Sequence, residues 1–241
     1  MENLSKLEIE IDKIKKKTKY NMFGAITGRL STEHDSFPIL TLSKNLRHIV
    51  EPTNDFLLEM DFNAFEPRIL IALNKKEQPK EDLHDWNKDN IFIGISRDDS
   101  KKKFLAWMYD SKGVVKLTDS QRRKLNALYN KEEIKRKYYD NGLVKNHYGR
   151  EIKSDEDHAL NYIVQSTAAD IFLRQAIKVN NILQGKKTFI KFLIHDSIIL
   201  DVSKEDVGLF KDIFETFSTT DLGKIMVKKK LGKNFGEMKK I

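Results

Sequence analysis

The sequence predicts an α+β fold, an antiparallel sheet with helices packed on it. Three observations lead there. Two apolar runs, FIKFLI and SIILDV, flank His195-Asp196 and read as a tight β-hairpin with that pair at its tip. A third apolar run, FLLEM, reads as a strand that leads into a helix. Three further stretches, 97–109, 119–140 and 155–183, carry helical patterns.

Taken in order, residues 3–17 place Leu4, Leu7, Ile11 and Ile14 at helical spacing with lysines opposite, a short amphipathic helix. Residues 53–73 read as a turn, the FLLEM strand and a helix opened by Pro67, because proline suits a first helical turn where its missing N–H costs nothing. Residues 97–109 form a basic amphipathic helix, 119–140 a highly charged helical stretch and 155–183 a long helix. Residues 188–202 are two strands, and the chain from Glu205 is mixed, ending in the lysine-rich KKKLGKNFGEMKK. There is no internal repeat and no Pro/Gly-rich linker, so the expectation is one continuous catalytic-type domain with a helical insertion.

Composition narrows the classes. A content of 39% hydrophobic and 33% charged residues over 241 positions describes a globular chain with a core, not a disordered one. No apolar run approaches a membrane span, and the N-terminal residues lack the apolar stretch of a signal peptide. The absence of cysteine excludes disulfides and thiolate metal sites and suits a reducing cytosol, so the expected location is cytoplasmic. A net charge of +8 favours a polyanionic partner, nucleic acid or a membrane surface.

Two carboxylates stand out. Asp196 sits between two apolar strands, and Asp61 ends another just before a helix. A lone Asp at a hairpin tip is a good turn residue and nothing more. Two strand-end carboxylates brought side by side would hold two divalent cations on rigid support. Mg²⁺ suits them, because it takes oxygen ligands from one or two carboxylates and completes its shell with substrate phosphates. Two ions about 3.5–4 Å apart would stabilise the attacking and leaving oxygens of a phosphoryl displacement. Arg97, Lys101, Leu105 and Tyr109 recur every four residues along one helical stripe. Such a stripe is commonly a solvated face, but cations followed by an apolar residue and a ring would also suit a nucleoside triphosphate.

From about Gly24 to the C-terminus these segments resemble the family A DNA polymerases, the group of bacterial DNA polymerase I and many phage replicases. ITGRLS (26–31) resembles the family's TGRLS segment, and NLRHIVEP (45–52) its arginine-containing strand. DFNAFEPR (61–68) is similar to motif A, with Asp61, Glu66 and Arg68 in register. DLH (82–84) resembles D-I-H, and Arg97, Lys101 and Tyr109 match the fingers-helix motif B. YGRE (148–151), NYIVQSTAADI (161–171), HDS (195–197) and GKNF (232–235) are similar to the segments that follow, HDS standing where motif C has H-D-E.

The resemblance implies a polymerase palm plus reduced helical fingers, with the thumb absent. After the amphipathic N-terminal helix, assigned to 1–23 on its own spacing, it implies palm over 24–75, fingers over 76–147 and palm again over 148–241. It implies a template-directed DNA polymerase with two Mg²⁺ ions, binding primer-template DNA and dNTPs. Asp61 and Asp196 would be the metal carboxylates, and Glu66 would close off the sugar's 2′ position. Arg97 and Lys101 would grip the triphosphate with His84 assisting, and Lys101 would also serve as acid toward pyrophosphate. Tyr109 would flank the templating position beside Leu105. Arg29, Asn161, Gln165 and His195 would line the primer-template path. Leu105 and Ser197 depart from the family's usual aromatic residue and glutamate. The short stretch before Gly24 leads to the expectation of the C-terminal subunit of a split phage polymerase acting in the host cytoplasm, with thumb or exonuclease on a protein partner. Two other functions fit the same residues: a non-catalytic DNA-binding or scaffold remnant, and a single-subunit RNA polymerase-like enzyme. Glu66 opposes the second.

Overall fold

The computed structural model describes residues 17–109 and 116–241. The helix expected from Leu4, Leu7, Ile11 and Ile14 lies outside them. In chain order, β1 (Tyr20–Asn21) and β2 (Ser31–Thr32) precede β3 (Phe56–Phe62) and α1 (Phe65–Leu73). Helices α2 (Leu83–Asn90), α3 (Arg97–Met108), α4 (Asp119–Tyr129) and α5 (Lys131–Tyr138) follow. Strands β4 (Tyr139–Asp140), β5 (Leu143–Lys145) and β6 (Glu151–Lys153) lead to the long α6 (Glu156–Ile182). The chain closes with β7 (Phe189–Ile194), β8 (Ser197–Val202), α7 (Phe210–Ser218), β9 (Thr219–Thr220), β10 (Gly223–Lys224), β11 (Val227–Gly232) and β12 (Lys239–Lys240). The described residues form two compact units, 17–61 with 173–217 and 228–241, and 62–172 with 218–227.

The first unit is built on a five-stranded sheet in the order β12-β11-β3-β8-β7. β3 and β8 pair antiparallel from Phe56↔Val202 to Asp61↔Ser197. Every residue of β8 is buried. That explains its nearly unbroken apolar run, because a central strand covered on both faces has no solvent side to alternate toward. Strand period then sorts the polar exceptions. Leu58, Met60, Ile198, Leu200 and Val202 share one face, wholly apolar and buried. Glu59, Asp61, Ser197 and Asp201 fall on the other, together with Leu57 and Ile199. The core of this unit gathers Phe37, Ile39, Leu42, Val50, Leu57, Ile194, Ile199 and Phe235.

Asp201, fully buried, is a structural carboxylate. It accepts from Thr53 N–H at 2.6 Å, Asn54 N–H at 2.8 Å and Lys191 Nζ at 2.8 Å. Burial works against its ionisation, but Lys191 and the two N–H groups outweigh it and hold the carboxyl below its usual range. Asp201→Asn leaves Lys191 unpaired and turns an amide toward two donors. A loss of about 3 kcal/mol is expected, roughly 6–12 °C in Tm at this size. Because the folded pKa lies below the unfolded one, the contribution is complete above the unfolded value of about 3.9 and is lost as pH falls through the folded value. Thermal melts of both proteins at pH 7 and pH 3 check this: the gap narrows at pH 3, and equal Tm values at pH 7 refute it.

In the second unit three sequence expectations are corrected. Helix α1 starts at Phe65, not at Pro67, because Ala64 turns the chain at φ 46°. Proline is still tolerated, since the first-turn N–H groups need no helical partner. The stretch 119–140 is two helices. Asn130, at φ 14°, ends α4, and its side chain accepts from Glu133 N–H to start α5. The strands β4, β5 and β6 form a small antiparallel sheet where none is expected. Its first turn is Asn141-Gly142, at φ 45° and 83°, the pair of positive angles that a two-residue type I′ hairpin needs. The core of this unit packs Phe104 against Tyr129 at 4.8 Å and Trp107 at 5.9 Å. No described helix is long and apolar enough to cross a membrane.

Candidate active site

The first unit brings the two predicted carboxylates together. Asp61, near the end of β3, lies opposite Ser197, and Asp196 is the neighbour of Ser197 in the two-residue turn. That turn is closed by the Ile194↔Ser197 pair and by Ser197 Oγ donating to Ile194 O at 3.1 Å. His195 takes the positive φ of 50° that a tight hairpin demands. Turn geometry thus exposes His195 and leaves Asp196 half-buried beside Asp61.

Electrostatics mark the pair. Burial, then the like charges of Glu59 and Asp196, push the Asp61 carboxyl up to about 7, against the pull of Lys230 and Lys228. Burial also raises Asp196, opposed by Arg29 and His195. Two adjacent carboxylates that resist ionising together fit a divalent cation, which supplies the charge they lack. Among the described residues no group of three or more His, Cys, Asp or Glu is arranged to hold a metal. A pair of carboxylates is the donor set that would suit an ion completing its shell with phosphates and water. Arg29, between β1 and β2, acts on this centre through its charge. Tyr20 fixes the start of that ladder, donating to Leu193 O at 2.9 Å and accepting from Leu193 N–H at 2.9 Å.

The second unit gathers a separate set. Helix α3 buries Ser100, Phe104 and Met108, four apart. The adjacent stripe, Arg97, Lys101, Leu105 and Tyr109, therefore stays outside the core. Phe104 is fully buried and Leu105 half-buried, so Leu105 keeps the place in the stripe. Lys101 is exposed. Tyr109, at the end of α3, donates its hydroxyl to the Glu66 carboxylate in the first turn of α1. Residues 43 apart in sequence are joined there. Asp82 caps α2 through the N–H groups of His84 and Asp85, and His84 is buried in its first turn. Arg97 bonds Asp82 at 2.9 Å and Asp85 at 2.6 Å.

Asn161 and Gln165 lie one turn apart on α6, with the Gln165 amide donating to Asn161 Oδ1. Arg150 pairs with Asp170 of the same helix at 2.6 Å, and Asn146 donates to Asp170 at 2.8 Å. This ties the YGRE segment to α6.

Sequence reasoning missed four neighbours of these groups. Glu59 and Lys230 form a 2.6 Å ion pair on the sheet. Asp82 and Asp85 flank His84 and hold Arg97. Glu59 had a signal, since residues two apart in a strand share a face with each other. The Arg97 contacts had none, because they join separate helices.

The chain is similar to known proteins in both sequence and fold. The family model described as DNA polymerase family A matches residues 88–237. DNA polymerase I of Aquifex aeolicus (strain VF5) is 24% identical, over 87% of this chain and 43% of that protein. DNA polymerase I of Pseudomonas aeruginosa is 25% identical, over 78% of this chain and 26% of that protein. The chain thus spans less than half the length of these curated relatives. The POL domain of Pol1 from M. smegmatis, solved in complex with DNA primer-template and dNTP, superposes with a TM-score of 0.77 at 18% identity. It covers 98% of this chain and 52% of that one, and it shares the α+β polymerase fold.

Proposed function

Because this chain belongs to DNA polymerase family A, we propose that it extends a primer 3′ end by template-directed transfer of deoxynucleotides. The observation that carries this is the Asp61–Asp196 pair, two half-buried carboxylates on adjacent strand ends. The substrates are primer-template DNA and dNTPs, and the cofactor is Mg²⁺, two ions. When bound, the ions would lower the charge barrier between the primer oxygen and the phosphate.

The primer 3′ hydroxyl gives up its proton to solvent and its oxygen forms a bond to the α-phosphorus as the bond to the α,β-bridging oxygen breaks, and pyrophosphate leaves. Asp61 and Asp196 would hold the cations by their charge. Arg97 and Lys101 receive the triphosphate, and His84 assists. Lys101 is exposed on α3 and donates a proton to the departing pyrophosphate. Glu66, anchored by the Tyr109 hydroxyl, closes off the sugar's 2′ side. Tyr109 and Leu105 flank the templating base, and Arg29, Asn161, Gln165 and His195 follow the duplex.

Primer extension with Mg²⁺ and four dNTPs, with Asp61→Ala as control, tests the proposal. Extension that survives in Asp61→Ala overturns it. Glu66→Ala frees both the 2′ side and the Tyr109 hydroxyl, so ribonucleotide incorporation relative to deoxynucleotide is expected to rise about tenfold or more, one decade being about 1.4 kcal/mol. An unchanged ratio removes the sugar-gating role. Primer-template affinity is expected to fall linearly on a log–log salt plot, with a slope of about −0.9 for each phosphate neutralised. A flat response argues against the basic surface as the DNA footprint.

A further inference from the structure

Arg97 opens α3 and is 40% exposed, and its guanidinium is already engaged by two carboxylates. Its Nε donates to Asp85 Oδ1 at 2.6 Å and its Nη2 to Asp82 Oδ1 at 2.9 Å. One guanidinium against two carboxylates makes the trio net negative.

The two acids differ in what else they do. Asp82 is 14% exposed, and its Oδ1 accepts from His84 N–H at 3.0 Å and Asp85 N–H at 3.3 Å to cap α2. Its Oδ2 accepts from Asn63 Nδ2 at 2.8 Å. That carboxylate is built into the helix start and cannot leave without undoing it. Asp85 is 48% exposed, and Arg97 is the hydrogen-bond partner of its side chain among the described residues. One contact orients Arg97 permanently; the other is exchangeable.

A guanidinium grips a phosphate with two neighbouring N–H groups, along its Nε/Nη2 edge or its Nη1/Nη2 edge. The first edge is taken by the carboxylates. We propose that Asp85 is a positioning residue that occupies this edge of Arg97 as an internal anion and yields it when a phosphate chain binds. The proposal rests on the reading of Arg97 as a triphosphate-binding group. Its consequence is a site of deliberately modest affinity. A nucleotide offsets the loss of Asp85 with base and sugar contacts besides its phosphates, while pyrophosphate, held by phosphate contacts alone, departs readily.

The test is isothermal titration calorimetry of the full chain with Mg²⁺–dATP and with Mg²⁺–pyrophosphate. Asp85→Asn keeps the shape and the acceptor oxygen and removes the charge. Both ligands are expected to tighten by about two- to fivefold, the worth of an exposed guanidinium–carboxylate pair that binding must break. Asp85→Glu keeps wild-type affinity. In an Arg97→Ala background, Asp85→Asn changes affinity by less than about twofold, since the carboxylate acts through the arginine. Unchanged or weaker binding in Asp85→Asn overturns the proposal, as does equal tightening without Arg97. If Arg97→Ala alone leaves Mg²⁺–dATP affinity intact, or no variant binds it, the reading of Arg97 itself falls. A structural defect would weaken binding, so a gain that depends on Arg97 separates the two explanations.

Discussion

Asp196→Asn is expected to lower primer extension on the order of 10³-fold, while duplex affinity changes by less than about twofold. The turn survives the change, because the positive φ of this hairpin falls on His195 and not on position 196. Asparagine is itself a good turn residue. The loss is one unit of negative charge beside Asp61, whose carboxyl already responds to it. If that charge helps hold the cations, transition-state stabilisation falls by several kcal/mol, and each 1.36 kcal/mol is a factor of ten in rate. Single-turnover extension and a duplex-binding titration on the same preparation measure the two halves. Extension within tenfold of wild type would remove Asp196 from the catalytic pair. Equal loss of duplex binding would assign it to DNA contact instead.

The second large effect is expected from Arg68→Ala, and it falls on folding. Arg68 is fully buried and donates to Asn63 O at 3.0 Å, Asn63 Oδ1 at 3.0 Å, Pro79 O at 2.9 Å and Glu81 O at 2.7 Å. Burial disfavours its charge, and these acceptors compensate for it. Removing the guanidinium leaves carbonyls buried without donors, which costs about 3–5 kcal/mol, or roughly 6–20 °C in Tm. The effect extends further along the chain of bonds. Asn63 also accepts from Leu83 N–H at 3.0 Å and donates to Asp82 at 2.8 Å, and Asp82 holds Arg97 at 2.9 Å. Where the variant still folds, nucleotide affinity is therefore expected to fall as well. Thermal melts and nucleotide titration check both parts. A Tm within 2 °C of wild type would show that water replaces the guanidinium without cost.

Arg68 also illustrates where sequence reading ends. Its place in DFNAFEPR is visible from the resemblance, but its partners at 78–81 are ten or more residues away and carry no pattern that points to it.

Local periodicity determined much of this protein on its own. The hairpin around His195-Asp196, the strand ending near Asp61, the basic helix from Arg97 and the long helix from Glu156 all follow from runs and repeats of a few residues. Such patterns report which faces are buried, and burial is a local demand on side-chain type. The short strands β4–β6 escaped, because two or three residues are too few for a period to show; only Asn141-Gly142 marked them. The break at Asn130 escaped because both flanking segments are equally charged and helical.

Tertiary structure decided the pairings. The register Asp61↔Ser197 sets two carboxylates side by side, and a slip of one residue would turn them to opposite faces. The Glu66–Tyr109 bond and the grip of Asp82 and Asp85 on Arg97 join separate elements in the same way. Chemical type is written in each residue, but the distance between two of them is set by how strands align and helices pack, which no local repeat encodes.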